Sequence, residues 1–283
     1  MFFRDKVRGD SRYLSDGSAI KGHARYVILP NDETELREGI RYANKGNTKV
    51  TIAGNRTGGR GGAVPSGGDI MSMEYLRGVV GVGKDSNGIF VRALACTSVS
   101  TFNDMVSNSK MDVISKPFEE DYRSMRFPVN ASPSSTVGGC IAVNRSDIRG
   151  YVRSIRVVFS DGTFTTIRRG ESFADGRNMV LVAGRNYFSF NLPSYTSDGV
   201  VGPKIEEGMD VIDLFIGSEG LFGIITEADI YISEDVAEGI TNESGKMENH
   251  QIKDRYGQKA VDEIIRIKSI LDPNYILNVG NLI

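Results

Sequence analysis

Histidine is nearly missing: His23 and His250 are the only two in 283 residues. Zinc, di-iron and facial-triad sites usually draw on two or three imidazoles, so catalysis through a histidine cluster is not expected. Cysteine is almost as scarce. Cys96 and Cys140 cannot build a disulfide framework, and neither stands in a CxxC or Cys-to-His metal spacing, which makes a reducing cytoplasm the expected location. Long apolar runs are lacking, with nothing near the ~18 residues of a membrane span, and the opening Met1-Phe2-Phe3-Arg4-Asp5-Lys6 puts charges where a signal peptide needs its apolar stretch. A transmembrane segment is therefore not expected. Charge of one sign is lacking too: the net charge is −2 and the pI about 5.9. No polybasic surface for nucleic acid or anionic lipid is implied. No internal repeat is evident.

What the chain does have is a 40% hydrophobic fraction, enough for a large core, and 33 glycines against an ordinary usage of ~7%. The glycines cluster. Seven lie between Gly54 and Gly68, two at Gly138 and Gly139, and three at Gly217, Gly220 and Gly223. Such clusters mark backbone that turns with positive φ or approaches a ligand closely.

Periodicity outlines the elements. Residues 25–29 read as a strand closed by Pro30, followed by a helix capped by Asn31 or Asp32, with Leu36, Ile40 and Ala43 on one face and Gly46 past its end. A strand over 49–53 then runs into the first glycine cluster. Further on, 88–95 reads as a strand and 100–111 as a helix capped by Ser100 or Thr101. Residues 155–159 and 164–167 form a hairpin, and 223–232 form a strand. Residues 254–271 carry Val261, Ile264, Ile265, Ile267 and Leu271 as one helical stripe ending at Asp272-Pro273.

The first glycine cluster, GNRTGGRGG at 54–62, matches neither common nucleotide loop. A GxGxxG reading from Gly59 fails because its sixth place is Val64, and no helix pattern follows to present an N-terminus. No Gly-Lys-Ser/Thr follows, so a P-loop fails as well. What remains is either a strand-loop-strand anion nest of backbone N–H groups or an ordinary flexible loop.

Five stretches carry a resemblance. AGNRTGGRGGAVP (53–65) resembles the pyrophosphate loop of the FAD-linked oxidases with a PCMH-type (vanillyl-alcohol-oxidase-like) flavin domain, in the branch of D-lactate dehydrogenase and the glycolate oxidase flavoprotein subunit. Residues 12–30, ending HARYVILP, are similar to that family's first strand. SSTVGGCIAVN (134–144) resembles its second flavin loop, DLFIGSEGLFGIITE (213–227) a signature stretch, and IKSILDPNYILNVGNLI (267–283) the closing segment. The resemblance implies an α+β fold in which a PCMH-type FAD-binding domain over 20–233 divides into two α/β subdomains, about 20–77 and 78–233. A linker over 234–253 and a C-terminal helix with closing segment over 254–283 would follow.

For the cofactor FAD, the same resemblance implies that Gly54, Asn55, Arg56, Thr57, Gly58, Gly59 and Gly61 wrap the diphosphate. Ser134, Thr136, Val137, Gly138 and Gly139 would line the flavin's middle and ring, with Ala142 and Asn144 beside them. Gly220, Gly223 and Ile224 would face the adenine or ribitol side, and Asn278 would close the ring edge. Glu219 is expected to be structural, and Cys140 a small buried thiol rather than a flavin tether. Arg56 stands where the family's loop has glycine, and Arg60 where it has a small residue; two guanidiniums beside a diphosphate are either electrostatically favourable or, as side chains at glycine positions, an obstacle to the loop's approach.

One part of the pattern is missing. Relatives in this branch place a large cap domain, with a metal-binding histidine cluster and a catalytic histidine, between the last strand and the C-terminal helix. Here only residues 233–253 fill that interval, and His250 does not match. The expected function is an FAD-dependent oxidoreductase related to the 2-hydroxy-acid dehydrogenases, passing hydride from substrate Cα to flavin N5. Its substrate side would be reduced, or supplied by a partner redox subunit. The alternatives are a cap-less electron-transfer or assembly subunit of a multi-subunit oxidase, and a degenerate flavin module. UDP-N-acetylenolpyruvoylglucosamine reductases share the flavin fold, but 213–227 and the closing segment speak against them. No catalytic residue is identified; Arg126, Arg185, Tyr195 and Lys204 are loose candidates for docking a carboxylate or moving a proton.

Overall fold

Short apolar strand runs and well-placed caps explain most of the first 77 residues. A computed structural model describes residues 3–9, 11–108, 121–236 and 251–278. Strands β1 (Phe3–Lys6), β2 (Tyr26–Leu29), β3 (Val50–Ala53) and β4 (Asp69–Ser72) form one sheet in the order β1-β2-β4-β3. β1 is antiparallel to β2, whereas β2 and β3 both run parallel to β4. Helix α1 (Glu33–Lys45) makes the crossover from β2 to β3. Asp32 caps it by accepting from the Glu35 N–H at 2.9 Å, Glu33 and Glu35 suit its positive end, and Gly46 follows its last turn. Leu36, Ile40 and Ala43 are fully buried against the sheet, and each of the two larger side chains contributes roughly 1.5–3 kcal/mol.

The second sheet has five antiparallel strands in the order β5-β6-β13-β7-β8: β5 (Val79–Asp85), β6 (Gly88–Leu94), β7 (Val152–Val158), β8 (Phe164–Arg168) and β13 (Ile224–Tyr231). Helix α2 (Val99–Ser107) begins earlier than the sequence suggests. Its cap is Ser98, which accepts from the Thr101 N–H at 3.1 Å, rather than Ser100 or Thr101. Ser98 also forms a bridge with Thr136, so a cross-chain contact decides between adjacent hydroxyl residues. Residues 137–142, expected as a loop, form a short helix, α3 (Val137–Ala142), capped by Thr136.

Between β8 and β13 lie two hairpins absent from the sequence reading. β9 (Asn178–Ala183) pairs with β10 (Asn186–Asn191), and the short β11 (Ser197–Asp198) pairs with β12 (Lys204–Ile205). The C-terminal stripe is two helices, not one: α4 (Ile252–Tyr256) and α5 (Gln258–Leu271) meet at Gly257, whose φ of 82° breaks the helical path. Val261, Ile264, Ile267 and Leu271 join the main core as expected, whereas Ile265 is only partly buried. Only residues 232–251 connect β13 to α4, too few for a further domain.

The two sheets are stitched together by polar and apolar contacts. Glu33 of α1 accepts both Arg156 nitrogens of β7, at 2.6 and 2.9 Å, and the Thr226 hydroxyl of β13 at 2.9 Å. A shared apolar cluster takes Ile28, Val50 and Met71 from the first sheet, Cys96, Val158 and Ile224 from the second, and Ile276 and Leu277 from the closing segment. Beyond α5 the chain returns to the first sheet, where Leu277 bridges Val50 in parallel and the Val50 N–H donates to the Ile276 carbonyl.

Candidate functional site

The seam between the sheets leaves a cleft of about 560 Å³, open at its mouth. One wall is Ile52 and Gly54 at the end of β3, with Met73 just past β4. The opposite wall is Ala95, Cys96, Thr136, Gly138, Gly139 and Ala142, and the floor is Ser218, Glu219, Gly220, Gly223, Ile224, Ile225 and Asn278. Nine residues expected to hold cofactor thus meet here: Gly54, Thr136, Gly138, Gly139, Ala142, Gly220, Gly223, Ile224 and Asn278.

Several glycines are fixed by close approach of the protein to itself. A Cβ on Gly138 would lie 2.8 Å from the Ala95 Cβ, and one on Gly223 would lie 2.4 Å from the Val157 Cγ1. The α3 amides are already engaged: Val137 N–H donates to the Thr97 carbonyl, Gly138 N–H to the Ala95 carbonyl, and Gly139 N–H to the Thr136 hydroxyl at 3.2 Å. Gly220 sits at φ 80° with Asn278 pressed against it. Asn278 spans the floor, its Oδ1 accepting from the Ile52 N–H and its Nδ2 donating to the Glu219 carbonyl, both at 2.8 Å.

The loop over 54–61 is different. Among the described residues, the backbone N–H groups of Asn55, Arg56, Thr57, Gly58, Gly59 and Gly61 donate to no protein acceptor. Gly59 has nothing within 4 Å of where a Cβ would stand, and Gly58 only the edge of the Asp16 carboxylate at 4.0 Å. Side chains pin the loop to the opposite wall. Asn55 Nδ2 donates to the Ser134 carbonyl at 2.9 Å, and the Thr57 and Ser135 hydroxyls lie 3.5 Å apart.

Arg56 takes a glycine-like φ of 57°, and its guanidinium turns back onto the Gly54 carbonyl at 3.1 Å, the Ser72 hydroxyl at 3.4 Å and the face of Tyr13. Its guanidinium is held at the base of the loop by these contacts. The 11–23 segment lies against the loop's outer side. There Asp16 accepts weakly from the Ala63 N–H at 3.5 Å and is itself held by Ser18.

Other expected residues lie elsewhere. Val137 is fully buried in the main core, and Ser134 is exposed, reaching the site through its carbonyl alone. Asn144 sits at φ 48° behind α3, accepting from the Arg149 N–H and donating to the Gly199 carbonyl. Arg126, Arg185, Tyr195 and Lys204 do not line the cleft. Tyr195 stacks on Tyr256, Lys204 pairs with Glu206, and Arg185 borders a separate cavity beside the β9–β10 turn. His250 is outside the described residues.

Cys140 is core-buried, its thiol pushed up to about 12 by desolvation, which rules against a reactive tether. Cys96, to which the sequence assigns no site role, does line the cleft. Burial raises its thiol to about 11, partly offset by nearby Arg56, and it lies 3.8 Å from the Asn55 Oδ1. No sequence signal sets Cys96 apart, since only the meeting of two sheets exposes it to the cleft. Among the described residues no three His, Cys, Asp or Glu side chains are grouped to hold a metal, and no helix is long and apolar enough to cross a membrane.

Two sheets facing each other over a glycine-lined cleft, closed by a C-terminal segment, form the PCMH-type α+β fold. A solved structure of alkyldihydroxyacetonephosphate synthase matches it with a TM-score of 0.51 and 17% identity, over 76% of this chain and 32% of that one. In sequence, the chain is 26% identical to a D-lactate dehydrogenase of Anaerostipes hadrus over 79% of its own length and 39% of that protein. It is 25% identical to a mitochondrial D-2-hydroxyglutarate dehydrogenase of Bos taurus over 75% of its length and 32% of that protein. A D-lactate dehydrogenase of Archaeoglobus fulgidus is 24% identical over 72% of this chain. The D-lactate dehydrogenase branch that the loops resemble is thus among the chain's relatives, although it spans only 39% and 32% of the first two. No family profile matches the chain.

Proposed function

We propose that the cleft binds FAD and that the chain is an FAD-dependent oxidoreductase of the 2-hydroxy-acid dehydrogenase type, its substrate side reduced or supplied by a partner. One observation carries the reading: six loop amides without protein acceptors among the described residues stand beside a cleft whose walls and floor are rich in glycine. A diphosphate needs several N–H donors, and a flat ring system needs close approach to main chain without β-carbons.

Gly54 to Gly61 would hold the diphosphate, with Asn55 keeping the loop against Ser134. Thr136, Gly138, Gly139 and Ala142 would form one side of the ring site, and Asn278 with Gly220 its floor. Bound FAD would supply the acceptor for a hydride leaving the substrate Cα. The chain's own part is to orient the ring and exclude water, since among the described residues the cleft presents no histidine and a protonated thiol at Cys96. The relatives named for D-lactate and D-2-hydroxyglutarate support a 2-hydroxy acid as reductant. The twenty-residue link where relatives of this branch carry a cap supports the alternative, a cap-less flavin subunit that receives electrons from a partner. Location in the cytoplasm belongs to the same proposal.

Purified protein should carry, or take up, FAD with a resolved flavin absorption band. A chain that neither retains nor binds FAD in equilibrium titration overturns the reading. Anaerobic bleaching by D-lactate, glycolate or D-2-hydroxyglutarate separates the enzyme from the subunit, which bleaches only with its partner present.

A further inference from the structure

A lysine is the least expected occupant of a protein core, and Lys268 is completely buried. Its ammonium makes three short bonds, to the Leu221 carbonyl at 2.8 Å, the Leu277 carbonyl at 2.8 Å and the Asp272 Oδ2 at 2.9 Å. Asp272, also fully buried, accepts in turn from the N–H groups of Ile276 and Leu277, at 3.1 and 2.9 Å. The three ammonium donors are thereby all used, and the carboxylate is shared by three donors, as a buried ion pair requires. Desolvation lowers the lysine, opposed by its aspartate.

The two segments this pair joins are the two that make the cleft floor. Leu221 follows Glu219 and Gly220 directly, and Leu277 precedes Asn278. Asn278 then closes a second link, from the Glu219 carbonyl to the Ile52 N–H of β3. We propose that Lys268 and Asp272 are positioning residues of the cofactor cleft: from outside it, they fix the spacing between the glycine turn and the closing segment, and so hold Asn278 in place. The inference rests on the FAD reading above and deepens it.

Removing only one partner would leave a buried charge, so the informative change is the matched neutral pair, Lys268→Met with Asp272→Asn, in the full chain. The expected result is a folded protein, by circular dichroism and thermal unfolding, whose FAD dissociation constant rises at least tenfold. Its bound-flavin absorption band should shift toward that of free FAD. Hydrogen exchange at the Ile52 amide, which Lys268 does not touch, should accelerate at least tenfold without flavin. Adding Asn278→Ala to the pair should weaken FAD no further than the worse of the two separate changes, because all act through one link; a role confined to overall stability gives additive losses. If the matched pair fails to fold, Lys268→Arg, which keeps the charge but cannot reproduce the three-way bonding, should show the same loss of FAD and faster Ile52 exchange. FAD binding within twofold of the parent, in a folded variant of either kind, overturns the proposal. A parent chain that binds no FAD overturns the cofactor reading instead, whereas unchanged Ile52 exchange counts against the positioning role alone.

Discussion

The two glycine clusters flanking the cleft do opposite jobs. At Gly138 and Gly139 the N–H groups are engaged by Ala95 and Thr136, and a Cβ has no room, so glycine there serves the fit of protein against itself. Across the cleft, the amides of Gly58, Gly59 and Gly61 have no protein acceptor among the described residues, and the side-chain space at Gly59 is open. At Gly59 the fold makes no demand for glycine, whereas Gly61 needs it for its φ of 78°. The same residue type therefore reports packing on one wall and main-chain donors left without protein acceptors among the described residues on the other, and a count of glycines cannot tell them apart.

The comparison breaks most visibly through stability. Gly138→Val should cost about 3 kcal/mol in denaturant unfolding, because the new side chain collides with Ala95 and no flexible neighbour can yield. Gly59→Val should change stability by no more than ~0.5 kcal/mol while weakening FAD at least tenfold, as measured by fluorescence titration. If both changes act alike, the distinction between the walls is wrong.

Alkaline pH probes the buried wall separately. Cys96 has an ordinary value of 9.0 when unfolded and about 11 when folded, so its contribution is complete below pH 9 and fades as pH climbs toward 11. Over that window stability should fall by up to ~1.4 kcal/mol per pH unit, and Cys96→Ala should flatten the decline in chemical-denaturation curves taken at each pH. Iodoacetamide labelling of Cys96 at pH 8 should be slow, and slower still with FAD.

A smaller effect sharpens the anion side. The Asp16 carboxylate lies beside the loop at Gly58 and repels a diphosphate, so Asp16→Asn should tighten FAD by about two- to fivefold, with the gain shrinking as salt rises. Thr136→Val, which removes the cap of α3, should cost about 1 kcal/mol in thermal unfolding and leave the loop amides untouched.

Much of this was legible in the chain itself. The strand-helix-strand start, with Asp32 and Gly46 at the helix ends, follows from short-range periodicity and capping. The fold and its relatives follow from five motifs kept in order. The failures share a cause. The Ser98 cap, the break at Gly257 and the hairpins over 178–205 each depend on contacts with distant segments or on one backbone angle. The resemblance groups Val137 with the cleft because its neighbours are there, but α3 is helical, each residue turning about 100° from the one before, and this one enters the core.

Sequence alone determined where backbone could bend and where main-chain donors are concentrated, because those properties belong to residues and their immediate neighbours. Only the folded arrangement decided which donors stay open to a ligand, which thiol faces the cleft, and that a lysine on the last helix ties its floor together. Those outcomes depend on groups far apart along the chain arriving within 3 Å of one another, and no local pattern encodes that distance.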